Sequence, residues 1–302
     1  MEPEDLPAAR LAICITALRE NAGELIRALS AEPEAAHCAL LLHVDGADDD
    51  QLTAAHHMAL AAYPGPSAVH LAAEPRGRTA AREWLIAHAP ADWILLLDAG
   101  LMPGGPGFLA RHLAAAEEAA GPALISGGLS LAEVRPGMAS RLHHADLLAS
   151  IGASIETRQA DPARYVSSAH VLVHRDILMA TAFDAGFACR QQADIDWSLR
   201  VAASWPVLQI DNPAAFTTLE DDAGLLDKSG ASGPGFARLL RRYPEAPALM
   251  PLLASARRVK GIPLLAPAAR LVASSPILPE NLRVSALGLY RAAVCAPYVE
   301  PL

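Results

Sequence analysis

The stretch that decides the fold is Trp93-Ile94-Leu95-Leu96-Leu97-Asp98-Ala99-Gly100, an apolar run that stops abruptly at a carboxylate and two small residues. A central strand of an open parallel sheet is covered by helices on both faces, so it is apolar at successive positions. The run is far too short to span a bilayer. It therefore predicts a buried parallel strand, and Asp98 would lie beyond its carboxyl end, where such sheets bind ligands.

Strand-like and helix-like segments alternate around this run. The predicted strands are 10–16, 39–45, 67–72, 92–98 and 123–126, and the predicted helices are 20–31, 49–62, 78–89 and 108–120. Alternation of this kind produces right-handed crossovers and a mostly parallel sheet flanked by helices, a Rossmann-like α/β fold.

The alternation stops after Gly127. Residues 129–163 are polar and rich in Pro and Gly, so we expect an irregular excursion over the sheet edge. A late strand is predicted at 165–173, a helix at 194–204 and a loop at 221–235. From Phe236 onward, prolines separate short helices that carry arginines. We expect these helices to form an appended layer, an acceptor-side lid or an oligomer contact.

Composition restricts the class of protein. Of the 302 residues, 52% are hydrophobic and 19% are charged, which fits a chain with a large core. The net charge of −9 argues against nucleic-acid binding. Four scattered cysteines without a Cys-x-x-Cys pair suit buried thiols in a reducing compartment. The acidic N-terminus lacks the features of a signal peptide, and no apolar run is long enough for a transmembrane segment, so we expect a cytoplasmic protein.

Several nucleotide-binding classes are excluded by missing motifs. The first strand is followed by residues 17–23, ALRENAG, which lack the Gly-x-Gly-x-x-Gly turn of a dinucleotide-binding domain. The chain also lacks the Gly-x-x-x-x-Gly-Lys-Ser/Thr loop of P-loop phosphotransferases. No Gly-x-Ser-x-Gly elbow follows a strand, which argues against a hydrolase of that type.

Four motifs in order, and a closing segment, resemble the family-2 glycosyltransferases with the GT-A fold. They are Ile15-Thr16-Ala17-Leu18-Arg19-Glu20, Val44-Asp45-Gly46-Ala47-Asp48-Asp49, Pro75-Arg76-Gly77-Arg78-Thr79-Ala80-Ala81-Arg82 and Leu97-Asp98-Ala99-Gly100, followed by Phe183-Asp184 and Asp194-Ile195-Asp196-Trp197-Ser198-Leu199-Arg200. The resemblance covers about residues 10–215. It implies that residues 1–215 form a GT-A-like, nucleotide-sugar-binding catalytic domain and that residues 216–302 form a C-terminal helical extension packed on it.

The resemblance implies a donor site that includes Thr16, Asp45, Arg78, Arg82 and Asp98. Asp45 would accept a hydrogen bond from the base, although an Asx turn after a strand is the structural alternative. Two arginines four residues apart share a helix face, near an N-terminus that favours a diphosphate. A solvated surface pair is the alternative for them. Asp98 would bind the ribose and a divalent ion, Mg²⁺ or Mn²⁺.

Catalysis is assigned to the closing segment. Asp194 matches the base that takes the acceptor proton, and Asp196 is a helper. Both residues also suit the first turn of a helix, where carboxylates stabilise the dipole. Gly100 replaces the second Asp of the Asp-x-Asp motif, Ala193 replaces a Glu, and residues 212–220 lack the family's later His. These departures leave open whether a metal is needed.

The sequence therefore predicts an inverting hexosyltransferase that moves a sugar from a nucleotide-sugar donor, UDP-linked, to a glycan, lipid-linked or small-molecule acceptor. Bacterial-type polysaccharide biosynthesis is the expected setting, in the cytoplasm or peripherally at the inner membrane face. A homo-oligomer formed through the C-terminal helices is also expected. The alternative is a non-catalytic GT-A-like binding or assembly protein that has lost turnover.

Overall fold

The computed structural model describes residues 6–18, 20–47, 49–187 and 189–299. Arg19 and Asp48 of the quoted motifs, and the acidic N-terminus Met1–Asp5, lie outside the described residues. The chain forms two compact units. The first comprises Met1–Val134, Ser154–Phe183 and Trp197–Thr218, and the second comprises Arg135–Ala153, Asp184–Asp196 and Leu219–Leu302. The functional boundary expected at residue 215 stays a prediction.

Ten strands in the described part of the chain form two sheets, both in the first unit. They are β1 (Leu11–Leu18), β2 (Cys38–Asp45), β3 (Ser67–Ala72), β4 (Trp93–Asp98), β5 (Leu101–Pro103), β6 (Leu124–Ser126), β7 (Leu129–Ser130), β8 (His170–His174), β9 (Val207–Gln209) and β10 (Ala214–Phe216). The main sheet has the order β3-β2-β1-β4-β8-β6-β9, and the small sheet has the order β5-β10-β7. In the main sheet β8 alone runs antiparallel to its neighbours. The predicted mostly parallel sheet is confirmed.

Both faces of this sheet are buried, as the apolar run at 93–98 predicts. Leu95 and Leu97 of β4 belong to one core cluster, whereas Ile94 and Leu96 belong to another. All four side chains are at most 2% exposed. Because successive side chains of a strand point to opposite faces, a strand between two covered faces is apolar at every position.

The helices cover the sheet in the first unit and make up most of the second. They are α1 (Gly23–Ser30), α2 (Asp50–Ala61), α3 (Arg78–His88), α4 (Phe108–Glu118), α5 (Arg141–Ile151), α6 (Ile155–Ala160), α7 (Arg175–Ala180), α8 (Arg190–Ala202), α9 (Asp222–Gly230), α10 (Gly233–Arg242), α11 (Met250–Val259), α12 (Leu265–Ser274) and α13 (Glu280–Cys295). Among the described residues, no helix combines the length and the apolar character needed to cross a bilayer. The expected helical C-terminal region is confirmed.

Two segments expected to be irregular are helical. Residues 129–163 contain α5 and α6, and residues 221–235 contain α9. Leu142 is the one buried residue of α5, so this helix lacks an apolar stripe that a sequence pattern could reveal. In α9 the Asp221 side chain caps the first turn by accepting from the Gly224 amide, and Leu225 and Leu226 are buried.

A pair of buried histidines joins α4 to β8. His112 Nε2 lies 2.9 Å from His170 Nε2, and His170 Nδ1 lies 2.8 Å from the carbonyl oxygen of Gly128. A carbonyl only accepts, so His170 Nδ1 carries the proton and donates to it. His170 Nε2 therefore accepts a hydrogen bond from His112 Nε2. Burial lowers the pKa of His170 to about 4 and that of His112 well below its usual value.

We expect this pair to make the protein acid-sensitive. A histidine whose pKa is lowered in the folded state contributes stability above its unfolded pKa, near 6.5, and that contribution is lost as pH falls towards 4. His170→Gln keeps the hydrogen-bonding pattern without titrating, so it should remove about 3 kcal/mol of the loss in unfolding free energy between pH 7 and pH 4. Urea unfolding at several pH values measures this loss. His57→Gln, at an exposed position of α2, is the control, and equal pH dependence in both variants would contradict the assignment.

Candidate functional site

Three of the predicted donor-site residues lie at the same edge of the main sheet. Thr16 pairs with Asp98 in the register of β1 and β4, and Leu18 pairs with Asp45 in the register of β1 and β2. Because β2 and β4 flank β1 and all three run parallel, their carboxyl ends meet there. Thr16, Asp45 and Asp98 are 2%, 1% and 6% exposed. The sheet thus places two buried carboxylates beside one buried hydroxyl.

The Asp98 carboxylate is held between the two predicted arginines. Arg78 Nη1 lies 3.3 Å from Asp98 Oδ2, and Arg82 Nη2 lies 3.2 Å from Asp98 Oδ1. Residues four apart on a helix lie on one face, which explains how α3 brings both guanidinium groups to one acid. A buried carboxylate is stable only when it is paired and hydrogen-bonded, and these contacts supply both conditions.

The two arginines have different surroundings. Arg82 is 6% exposed at its side chain, donates to the hydroxyl and the carbonyl oxygen of Ser168 at 2.8 and 2.7 Å, and lies over the Phe183 ring at 5.3 Å. Arg78 is 29% exposed at its side chain, and its buried Nε has no hydrogen-bond partner among the described residues. The Arg82 guanidinium is thus enclosed by protein partners, whereas the Arg78 side chain is partly in contact with solvent. Sequence reasoning did not identify Ser168, and it singled out Phe183 only as part of the closing motif, without its contact to Arg82.

Asp45 fixes the loop that leads into α3. Its two carboxylate oxygens each accept a backbone amide at 2.8 Å, one from Arg76 and one from Gly77. Gly77 precedes the helix with φ of +88°, a left-handed conformation that favours glycine. No side chain of the described residues caps α3, so amides of its first turn remain available to an anion. The Asp45 carboxylate therefore does not form an Asx turn. In this conformation it is also buried, so it is not exposed to a base.

The surroundings of Asp98 do not fit a divalent cation. Both of its oxygens face arginines, and Gly100 supplies no side-chain ligand. Within the described part of the chain, no group of three or more His, Cys, Asp or Glu side chains is arranged to hold a metal ion. The space beside Gly100 is open, because a Cβ added at this residue would approach only Thr218 Oγ1 among the described residues, at 3.6 Å.

Asp194 and Asp196 belong to the second unit. Asp196 is fully buried, forms an ion pair with Arg242 and accepts a hydrogen bond from Tyr243 at 3.2 Å. Burial and the Asp196 carboxylate both raise the pKa of Tyr243. Arg242 also lies 3.5 Å from Asp184. The sequence indicated this cluster only indirectly. Asp196 stands between Ile195 and Trp197 on a helix that packs into the protein, and a buried acid requires a cation from another part of the chain. Asp194 is buried as well, at 6% exposure.

Comparison with known proteins identifies the fold. The sequence matches no protein-family model and no curated protein. The mannosyltransferase PcManGT from Pyrobaculum calidifontis, solved with GDP-Man and Mn²⁺, matches with a TM-score of 0.59 at 14% identity over 98% of this chain and 88% of its own. Residues 1–349 of S. aureus TarS, solved with UDP-GlcNAc, match with a TM-score of 0.50 at 13% identity over 96% of this chain and 91% of their own. The fold is GT-A-like.

These neighbours are nucleotide-sugar-dependent glycosyltransferases, so a glycosyltransferase fold is established for the chain. At such low identity the likeness concerns the fold alone. The roles of Thr16, Asp45, Arg78, Arg82 and Asp98 in donor binding, and those of Asp194 and Asp196 in catalysis, stay predictions.

In this GT-A-like fold the two arginines should differ in their effect on stability. Arg82→Met removes the buried guanidinium that contacts both Asp98 and Ser168, so we expect it to lower the free energy of unfolding by about 3 kcal/mol. Arg78→Met removes a partly solvated contact with the same acid and should cost less than about 1 kcal/mol. Urea unfolding of the two variants compares these effects directly. Equal losses would show that the difference in burial has no energetic consequence.

Proposed function

We propose that the protein is an inverting glycosyltransferase that transfers a hexose from a UDP-linked donor to a glycan, lipid-linked or small-molecule acceptor. The observation that carries this proposal is the attachment of α3 to two strand-end carboxylates. Asp45 holds the loop before the helix, and Asp98 holds its first arginines. The helix start is thereby set at the carboxyl edge of the sheet, where open α/β sheets bind ligands.

The diphosphate of the donor would bind at the start of α3. The uncapped amides of the first turn and the helix dipole both favour an anion there. Arg78 would add a partly exposed guanidinium, which recognises phosphate oxygens in a bidentate manner. Asp98 would accept a hydrogen bond from a ribose hydroxyl while Arg82 keeps it paired. Thr16 and Asp45 are assigned to the nucleoside, and contact between Asp45 and the base requires the loop at residues 76–77 to move.

Little dependence on divalent metal is part of the proposal. The neighbour from P. calidifontis was solved with Mn²⁺, but Asp98 of this chain faces two guanidinium groups and lacks a second carboxylate at residue 100. Positive charge from Arg78 would stand near the leaving diphosphate, where other enzymes use a cation.

Asp194 is the proposed base. In a direct displacement, its carboxylate takes the proton of the acceptor hydroxyl as the oxygen attacks the anomeric carbon and the nucleoside diphosphate leaves. Asp196, two residues further along α8, supports this role by anchoring the helix to Arg242 and Tyr243. We class it as a positioning residue. The cytoplasmic or peripheral inner-membrane location, the polysaccharide pathway and the homo-oligomer contact remain parts of the proposal.

The donor assignment predicts nucleotide binding that depends on Arg78. UDP should bind in a calorimetric titration, and Arg78→Met should weaken the Kd by more than about tenfold through loss of a charge-assisted contact. The melting temperature of the Arg78→Met variant should stay close to that of the parent. Arg27→Met, on the exposed surface of α1, is the matched control. Binding that is equal in both variants would refute the site, and a preference for GDP in a nucleotide panel would refute the UDP assignment.

Metal dependence is measured in the same titration. The affinity of UDP should be similar in EDTA and in Mn²⁺. Gly100→Asp adds a carboxylate in open space and should make binding respond to Mn²⁺, whereas Gly100→Asn should not. A large loss of affinity in EDTA with the parent chain would show that a metal site exists despite Gly100.

The assignment of the base predicts separate effects for the two acids of α8. Asp194→Asn should retain UDP affinity and the fold but lose at least about 100-fold in transfer or donor hydrolysis, because an amide does not accept the proton. Asp196→Asn should instead lower stability by about 2 kcal/mol through loss of charge-assisted hydrogen bonds. Turnover that survives in Asp194→Asn and disappears in a folded Asp196→Asn would reverse the roles. UDP binding without any turnover would favour the non-catalytic alternative.

A further inference from the structure

The second unit carries a charge pattern unlike that of the rest of the chain. Residues 246–279 contain no Asp or Glu and four basic residues, in a protein of net charge −9. These are Arg257, Arg258, Lys260 and Arg270. The segment covers α11, α12 and the loops around them. A positive segment in an acidic protein creates a local site of attraction for negative surfaces.

The same segment exposes large apolar side chains. Ile262, Leu264, Leu271 and Ile277 are 52%, 78%, 73% and 89% exposed, and we call these four residues the α12 face. Ile262 and Leu264 precede α12, Leu271 lies on the helix, and Ile277 lies in the loop after it. The inner side of α12 is also apolar, because Ala269 and Ala273 are buried in a cluster with residues of α13. A helix that is apolar on both sides is normally covered on both sides.

The single charged residue of α12 does not interrupt this surface. Arg270 forms an ion pair with Asp227 of α9 at 2.6 Å and donates to the Tyr290 hydroxyl of α13 at 3.2 Å. Its guanidinium is therefore directed to the neighbouring helices. The acids that flank the segment in sequence are Glu245 and Glu280, which stand before α11 and at the start of α13.

Leu264 has an unusual backbone. Its φ is +58°, and among the described residues it is the non-glycine residue with a positive φ. A bulky side chain rarely adopts this conformation, and glycine or asparagine would be accommodated more easily. Strained positions that keep a demanding side chain occur at functional sites. The leucine is thus held at the surface despite its backbone, with most of its side chain in solvent.

We propose that the α12 face is a membrane-binding surface, which inserts into a bilayer containing anionic phospholipid with α12 parallel to the membrane plane. The apolar side chains would enter the acyl region, and Arg257 and Arg258 would contact lipid phosphates, while Lys260, whose ammonium donates to the carbonyl oxygen of Val299, would add positive charge nearby. This combination of exposed apolar residues and adjacent basic residues is typical of interfacial helices. Anionic lipid is the occupant favoured by charge, because the segment that carries the α12 face has four basic residues and no Asp or Glu. The proposal names a surface for the peripheral membrane location proposed above, and it does not depend on transferase activity.

Vesicle flotation of the purified full chain without nucleotide tests this proposal. The protein should float with vesicles of phosphatidylcholine and phosphatidylglycerol, and much less with phosphatidylcholine alone. Leu264→Asn/Leu271→Gln/Ile277→Gln should weaken binding by more than about tenfold, because three inserted side chains are lost. Arg257→Gln/Arg258→Gln should reduce binding to the anionic vesicles only. Met58→Gln/Met179→Gln, at positions 74% and 71% exposed in the first unit, is the matched control and should float like the parent.

Folding of the variants is followed separately. Leu264→Asn alone suits the left-handed backbone, so its melting temperature should be equal to or above that of the parent while its vesicle binding falls. Failure of the parent to float with anionic vesicles would overturn the proposal, as would equal flotation of the parent and the triple variant. A parent that self-associates through this face in analytical ultracentrifugation, without binding vesicles, would overturn it in favour of an interface between copies.

Discussion

A carboxylate buried at the end of β4 has to be neutralised, and this requirement organises the first unit. An unpaired charge in a protein interior costs several kcal/mol, so Asp98 needs cations that the strand itself does not supply. Helix α3 supplies them with Arg78 and Arg82. Asp45, at the end of β2, meets the same need with the backbone amides just before that helix. Two strand-end acids therefore determine where α3 begins and how it lies against the sheet.

The same ion pairs govern what an anion would meet at this edge. A diphosphate at the start of α3 would compete with Asp98 for Arg78, whose side chain is partly in solvent. Arg82 would stay with Asp98, because Ser168 and Phe183 enclose it. The acid would thus keep one cation while the other bridges to the ligand. Such an exchange leaves no buried charge unpaired, and it explains why two arginines on one acid suit a binding site better than one.

Much of this arrangement could be predicted because it depends on local patterns. Continuous apolar strands, the acids that terminate them and the i, i+4 spacing of the arginines are all visible in the sequence. The helices at 141–151 and 155–160 were missed because they bury few residues, so no periodicity marks them. The contact of Asp196 with Arg242 spans 46 residues of chain, and that of Arg82 with Ser168 spans 86. No local pattern encodes such pairings, which are decided by packing of the whole unit.

Helix geometry separates the roles of the two acids of α8. Residues i and i+2 of a helix do not face each other, so Asp194 and Asp196 point in different directions even though both are buried. Asp196 is directed to Arg242 and Tyr243, an arrangement that neutralises its charge and ties α8 to α10. Asp196 is fully buried as well as paired, so its carboxylate is closed to an acceptor hydroxyl, which favours a positioning role for it over proton transfer.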